Sequence, residues 1–429
     1  MRYCIEDAAQ MLKARDFDGA ETALRSLINA DPRDAVAYNV LGLVHLERRR
    51  YAEAIASFSQ AIRLRSPYPE ALINLAVACN RTGEHELAIK VSDLALAAAP
   101  GSVAALLNRG MACKGLRRLG EAKRAFELAG DHPMARFNLG HTLLLENDLE
   151  RGLPLLEARR EVFRTGADLA GEAWRGEARP GDTLLVLAEQ GLGDHLLMSR
   201  FFPRLFDSFA RVVVQTPPPL ERLMSRFDPR LELVTSPEGA RFDAWAPIMS
   251  LPLLLGVRGV LDLPNEPWLS VTAPERPTGR PRVGLNWAGN PSYAYDAVRS
   301  TSLETFAPLL AIGDVEWVSL HRGVREHEAE AFGLAQPLRE AKDFLDTAEV
   351  IAGLDLVIST ETAIPNLSAA MGVPTCVLTT MDVDWRWAAW YSGVTVCAQQ
   401  TPGNWFGSIA EAAETIRTLL ASRASDQAA

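Results

Sequence analysis

The sequence predicts an α-helical solenoid followed by two open α/β lobes, and three observations carry that reading. Small residues recur at intervals of 34 through the first third of the chain, with Ala8, Gly42, Ala76 and Gly110 in one register. After a stretch rich in glycine and charge, the pattern changes to short apolar runs alternating with amphipathic segments. The segment "PNEPWLSVTAPERPTGRP", with five prolines, then divides that alternation into two halves. The expected organisation is a solenoid over residues 1–165, a first lobe over 166–275 and a second lobe over 276–425.

Units begun at Met1, Ala35, Pro69 and Val103 also align Ala20, Ala54, Ala88 and Ala122, and Pro32 and Pro100 close theirs. A fifth unit starts at Pro133 after a short deletion and keeps Gly140 and Gly152 at the two small positions. This register resembles the tetratricopeptide repeat, in which two helices per unit approach closely over small residues and stack into a right-handed solenoid. Such an array binds partners. Asn74, Asn108 and Asn138 recur at the sixth position on the helices that would line its concave face. Each amide offers two donors and an acceptor, enough for the three to hold the backbone of an extended peptide. The alternative is that asparagine is repeat consensus serving neighbouring helices. Cys79 and Cys113, also one unit apart, fit small buried positions.

The boundary segment "RTGADLAGEAWRGEARPGD" carries four glycines and Trp174, which should tuck against a neighbouring domain. "TLLVLAEQ", "RVVVQT" and "LELVTS" read as strands separated by the helical "LLMSRFFPRLF" and "PPLERLMSRF". Beyond the proline-rich segment, "PRVGLNWAG", "VEWVSL", "LDLVIST" and "VPTCVLT" read as strands, with helices between them. Two such halves imply parallel sheets whose ligands lie outside the carboxyl ends of the strands.

The chain has 429 residues, 48% hydrophobic and 23% charged, which is a globular composition with room for two or three domains. Its formal charge of −10 argues against a general nucleic-acid binder. "MRYCIEDAAQ" has acids where a signal peptide has its apolar core, and the apolar runs fall short of about 18 residues. The expectation is a cytoplasmic protein without membrane insertion. The five cysteines form no CxxC pair, so they read as reduced structural thiols with no zinc site.

Three strand ends carry the candidate chemistry. In "AEQGLGDHL", Gly191 and Gly193 permit close approach, and Asp194 and His195 open the next helix. The dinucleotide fingerprint would need a third glycine here, and this chain has a titratable pair instead. In "NWAGNPSYAYDAVRST", Gly289 and Asn290 turn the chain, and Arg299 and Ser300 precede a helix. In "STETAIPNLSAAMG", Thr362 precedes a helix bearing Asn366. An arginine, hydroxyls and a helix start make a phosphate clamp. Taken singly, each element also has an ordinary use in a turn, surface ion pair or helix cap.

"AEQGLGDHL", "VGLNWAGNPSYAYDAVRSTSL", "DTAEVIAGLDLVISTETAIPNLSAAMGVPTCVL" and "DWRW" resemble the bacterial tetratricopeptide-repeat glycosyltransferases. The catalytic part of that family is similar to the lipopolysaccharide heptosyltransferases. The resemblance covers residues 181 to about 420. It implies a GT-B fold of two Rossmann-like lobes, a nucleoside-diphosphate sugar held mainly by the second, an acceptor on the first, and no metal or other cofactor. By that resemblance Asp194 matches the proposed base, Arg299 and Ser300 the phosphate-side pair, and Thr362 the diphosphate-binding helix start. Gly193, Gly289, Asn290 and Asn366 belong to the same donor-side motifs.

The chain departs from the family at Glu361 for aspartate, Asn366 and Tyr293 for histidine, and His195 for threonine. These changes fit altered donor specificity, with His195 supplying the lost imidazole, or loss of catalysis. Glycosyl transfer needs a base for the acceptor hydroxyl, here Asp194 or His195, and cationic or amide groups for the departing diphosphate, here Arg299 and the helix start near Thr362. Asp382 and Asp384 imitate a metal-binding acid pair but lie on the wrong scaffold for one. The expected function is transfer of a sugar onto a protein, flagellin among the candidate clients, presented by the repeats. Lipid-linked or polysaccharide acceptors, and an inactive scaffold that only binds partners, are the alternatives.

Overall fold

The computed structural model describes residues 3–166, 169, 171–264, 266–273, 279–293 and 295–428. The start of the first repeat at Met1 and the lobe boundary at 275/276 lie outside the described residues. The chain forms two compact units, Met1–Thr142 and Leu143–Ala429.

In the first unit the 34-residue register becomes helix pairs: Ile5–Lys13 with Phe17–Ala30, Ala35–Glu47 with Tyr51–Leu64, Pro69–Thr82 with His85–Ala98, and Val103–Gly115 with Leu119–Leu128. Asp34 and Ser102 cap two of the first helices through backbone amides, and Pro69 opens a third, where its missing N–H costs nothing. The small eighth position is explained by what it faces. A Cβ on Gly42 would lie 2.5 Å from the buried Phe58 ring, and one on Gly110 would lie 2.4 Å from Phe126. Leu24 and Ser92 occupy the positions equivalent to those phenylalanines in the two units whose eighth residue is alanine. Glycine faces an aromatic ring in two units and Ala8 shares its core with the smaller Leu24, so those pairs fill a similar volume, while Ala76 is matched with the still smaller Ser92. Cys79 and Cys113 are fully buried in the same core.

The division between the units falls inside helix Pro133–Leu145, and the next helix, Leu149–Leu156, belongs to the second unit. There it packs against helix Leu251–Leu254, with Leu149, Leu153 and Leu156 buried.

Among the described residues the second unit holds two five-stranded sheets in which every paired neighbour is parallel. The first comprises β1 (Glu172–Ala173), β2 (Arg179–Leu187), β3 (Phe209–Gln215), β4 (Leu231–Val234) and β5 (Ala244–Pro247), in the order β1-β5-β2-β3-β4. The second comprises β6 (Arg282–Asn286), β7 (Glu316–Ser319), β8 (Leu356–Thr360), β9 (Thr375–Thr379) and β10 (Val394–Ala398), in the order β10-β9-β8-β6-β7. β8 and β9 are buried throughout, as parallel strands covered on both faces must be. Trp174 is buried edge-on against Phe209 of its own lobe.

The sequence pattern missed β1, β5, β10 and the closing helix Phe406–Ala428. β5 reads "AWAP", too short and too proline-marked to look like a strand. The closing helix lays Ile409, Ala412, Ala413 and Ile416 on the second-lobe core beside Trp287 and Phe306. Among the described residues no helix is long and apolar enough to cross a membrane.

In each sheet the strand order reverses once, between β2 and β5 and between β6 and β8. The crevices outside the carboxyl ends at those two points are where an open α/β sheet takes a ligand.

Candidate functional site

The β2/β5 crevice is filled by the chain itself. Arg159, on the short helix Arg159–Phe163, has no exposed surface. Its guanidinium donates to Glu189 at 2.6 and 3.1 Å, to Glu157 at 2.6 Å and to Ser250 Oγ at 2.7 Å. Glu189 follows β2 and Ser250 follows β5, so the network spans the reversal point. The Met249 amide adds a bond to Glu189 at 3.1 Å. Desolvation would lower the Arg159 pKa, but Glu189 and Glu157 beside it raise it above its ordinary value.

The β6/β8 crevice is lined differently. Asn286 ends β6 and donates to Ser359 Oγ at 3.0 Å and Thr362 Oγ1 at 3.1 Å. Its oxygen faces His321 Nδ1 at 3.1 Å, and since an amide oxygen only accepts, Nδ1 carries the proton. Burial holds the His321 pKa below its ordinary value. Thr362 caps helix Ala363–Ala370 by accepting from the Ile364 amide at 3.2 Å. Arg299 lies over the Tyr293 ring and donates to Asp296 at 3.1 Å and to the Glu361 carbonyl at 3.0 Å. Gly289 leaves room for it, because a Cβ there would lie 2.5 Å from Arg299 Nη2. Ser300 Oγ accepts from the Gly289 amide and donates to Asp296, both at 2.9 Å. Arg299, Ser300, Gly289 and Thr362 therefore come together. Asn290 is exposed and accepts from the Ser292 amide in its own turn.

The lobes meet where helix Leu192–Met198 packs on helix Ala363–Ala370. A Cβ on Gly193 would lie 2.8 Å from Asn366 Nδ2, so this glycine admits a side chain of the opposite lobe. Asp194 accepts from the Gly191 amide at 2.9 Å and from Arg386 of the second lobe. Arg386 also donates from Nε and Nη2 to Asp384, at 2.7 and 2.6 Å. Burial raises the Asp194 pKa, with Arg386 and the Gly191 amide pulling it back. Glu361 accepts from Trp387 Nε1 at 2.8 Å, and its pKa is pushed up to about 7, first by burial and then by Asp384. Trp387 stacks on Tyr391 and Tyr391 on Trp268, while Arg200 of the first lobe lies 3.9 Å from the Trp268 ring centre. A second seam joins Arg222 to Asp343 and Asp346, at 3.1 and 3.0 Å.

Two expected site residues, His195 and Asn366, are spent on contacts within the protein. His195 is 1% exposed, lies edge-on to Phe202, and neither ring nitrogen has a hydrogen-bond partner among the described residues. Burial drives its pKa down to about 4, which favours the neutral imidazole packed in the first lobe. Asn366 is buried, donates to the Thr362 carbonyl at 2.7 Å and accepts from Tyr391 at 2.8 Å, so it orients the interface between the lobes. The asparagine series is uneven. Asn108 and Asn138 donate to carbonyls one turn back at 2.9 Å, Asn138 is buried, and Asn74 donates to Asn39 at 3.0 Å.

The sequence pattern singled out neither Arg386 nor Arg159. The one signal for Arg386 was its place in "DWRW", a polar residue between aromatics of which Trp385 and Trp387 are buried. Glu361 stood out only as a departure from a family pattern.

Comparison with known proteins bears on the first unit. A family model described as tetratricopeptide repeat matches residues 12–69 and 49–103, so this part of the chain carries tetratricopeptide repeats. Protein FlbA of Caulobacter vibrioides is 26% identical over 446 residues, an alignment covering 93% of this chain and 70% of that protein. The solved structure of YrrB, "a TPR protein with an unusual peptide-binding site", is 20% identical and covers 38% of this chain and 86% of its own, with a TM-score of 0.33. A MamA RS-1 double mutant is 19% identical and covers 37% and 91%, with a TM-score of 0.34.

Proposed function

We propose that the second unit is a metal-independent glycosyltransferase of GT-B type, similar in its lobes to the heptosyltransferases, and that the tetratricopeptide repeats hold its acceptor. The observation that carries the proposal is the pairing of two loop sets at strand carboxyl ends. Arg299, Ser300, Gly289 and the Thr362 helix start cluster at the β6/β8 crevice, and the Asp194 turn of the other lobe meets that lobe through Arg386. A nucleoside diphosphate suits the first set, because a guanidinium fork and the free amides of a helix start match its charge and geometry. The leaving diphosphate needs the same groups as its negative charge grows.

The acceptor is a hydroxyl on a protein, flagellin among the candidate clients, because a groove of stacked helices can hold an extended peptide segment. A lipid-linked or polysaccharide acceptor would use the same donor site without the repeats. One observation favours a scaffold that does no chemistry: both protein contacts of Asp194 hold its carboxylate in place. Calorimetry with a panel of nucleoside diphosphates, followed by mass spectrometry of candidate acceptors with the matching sugar donor, separates the readings. A diphosphate binding in the micromolar range and mass added to the acceptor support transfer. Binding without added mass supports the scaffold, and no binding by any member of the panel removes the donor site.

A further inference from the structure

We infer that Glu361 is the group that takes the acceptor's proton in this cleft, and that Asp194 is a positioning residue holding Arg386. The inference rests on the transferase reading above and assigns a role within the same site.

The argument begins with the sharing of one cation. Asp194, Asp384 and Glu361 converge on Arg386, and Asp382 is close enough to act on the same charges. Arg386 is committed to two of them, meeting Asp194 through Nη1 and Asp384 through Nε and Nη2. No ion pair reaches Glu361 among the described residues. Among the described residues its side-chain hydrogen-bond partner is the Trp387 indole, which occupies one oxygen and leaves the other for a substrate. Asp194 is in the reverse position, with the Gly191 amide on one oxygen and Arg386 on the other.

Position agrees with this division. Glu361 follows β8 directly, and its carbonyl accepts from Arg299 of the proposed diphosphate clamp, while Tyr293 lies under that arginine. The acid therefore stands beside the donor. The groups facing it are Asp382, Asp384 and Arg386 from the loop after β9, Tyr293 and Arg299 from the loop after β6, and, beyond Arg386, Asp194 from the first lobe. With the guanidinium spent on its neighbours, Glu361 is the carboxyl that keeps a proton near neutrality, and its pKa of about 7 matches a base working at that pH. The step balances without another reactant. The acceptor oxygen attacks the anomeric carbon, the bond from that carbon to the diphosphate breaks with its electron pair leaving on the diphosphate, and the hydroxyl proton passes to the Glu361 carboxylate.

The test uses the full chain in wild-type, Glu361→Gln, Glu361→Asp and Asp194→Asn forms. In wild type kcat should rise with pH through a single ionisation near neutrality. Glu361→Gln should lower kcat at least about 100-fold, the usual minimum for losing a general base, with diphosphate affinity changed less than about threefold. Glu361→Asp should keep part of the rate. Asp194→Asn should retain the ionisation but move it to lower pH, since Arg386 is then free to favour the Glu361 carboxylate. Tryptophan emission provides a readout without turnover: the wild type should titrate near neutrality through Trp387, and Glu361→Gln should not. Glu361→Gln that keeps the wild-type kcat and pH rise overturns the assignment, as does an ionisation lost in Asp194→Asn and kept in Glu361→Gln. An emission profile identical in wild type and Glu361→Gln also overturns it. Absence of transfer from every donor while the emission difference persists sinks the transferase reading itself.

Discussion

The two lobes of the second unit share a parallel five-stranded architecture and a single reversal of strand order, yet their crevices have opposite fates. At β2/β5 the buried Arg159 joins Glu189, Glu157 and Ser250 into a closed network. At β6/β8 Arg299 is half-buried, and among the described residues one Glu361 oxygen has no hydrogen-bond partner. Topology supplies a cleft in both lobes, and the side chains decide whether it becomes core or site. The titratable groups divide in the same way. Burial holds His195 of the first lobe neutral, and Glu361 of the second retains a proton that an exposed glutamate would lose.

The largest effect should come from opening the first crevice. Replacing Arg159 by alanine leaves Glu189, 6% exposed, without its cation, and removing one partner of a buried pair costs about 3–5 kcal/mol. Urea unfolding of Arg159→Ala against wild type measures the loss. Arg159→Met with Glu189→Leu should recover most of it, because an apolar pair of similar volume needs no counter-charge. The same network fixes where the chain can be cut. A fragment beginning at residue 143 keeps Arg159 and should fold, whereas one beginning at 166 should unfold or aggregate. A loss below about 1 kcal/mol in Arg159→Ala would mean that this crevice is not closed by the network.

Next in size is the effect of pH on the first lobe. The folded state holds His195 at a pKa of about 4, against 6.5 for the ordinary group. Between those values the unfolded chain binds a proton that the folded chain refuses, so the His195 contribution is complete above about 6.5 and is lost as pH falls toward 4. The difference is of order 3 kcal/mol at about 1.4 kcal/mol per unit. His195→Leu should flatten that part of the stability curve, measured by unfolding at a series of pH values. Glu361 has the opposite sign. Its raised pKa makes the fold bind a proton more tightly than the unfolded chain, so its contribution declines as pH climbs from about 4.5 to about 7. Parallel curves for wild type and His195→Leu would return the imidazole to the cleft.

The second lobe supplies the counterpart. Arg299→Ala should weaken nucleoside-diphosphate binding by about 1.5–3 kcal/mol, the range for hydrogen bonds to charged groups, while altering stability less than Arg159→Ala does. Calorimetry and urea unfolding on the same preparations give both numbers. Equal stability losses for the two arginines, with binding unchanged, would erase the contrast between the lobes.

What the sequence disclosed follows from the range of the interactions. The repeats were legible because Ala8, Gly42, Ala76 and Gly110 answer to partners sixteen residues on, within one unit. β2, β3, β6, β8 and β9 were legible as apolar runs, and Asp194, Arg299 and Thr362 because they follow such runs at turns. β5 was hidden in four residues ending at Pro247. Arg386 was hidden because its partner Asp194 is 192 residues away, and His195 was misread because a local motif cannot say which neighbour of a turn points into a core.

The smallest effect concerns the repeats, where the same question recurs: does a polar side chain serve the fold or a ligand? Asn108 and Asn138 each spend one N–H on a carbonyl a turn back, a bond of modest net value that alanine dispenses with by removing the donor. Asn74 differs, because its loss leaves the buried Asn39 without that partner, so it should cost the most stability of the three, about 1 kcal/mol. For binding the order should follow exposure instead. Asn74 and Asn108 keep partly exposed amides that can meet an extended backbone, and Asn138, 8% exposed, can contribute least. Replacing Asn74 and Asn108 together should raise the KM for a protein acceptor several-fold with kcat nearly unchanged, the signature of lost uniform binding, and adding Asn138→Ala should change it little further. Steady-state kinetics on the three combinations decides the matter. An unaltered KM in the double variant would make the whole series part of the solenoid's own structure, as Arg159 is of the first lobe's.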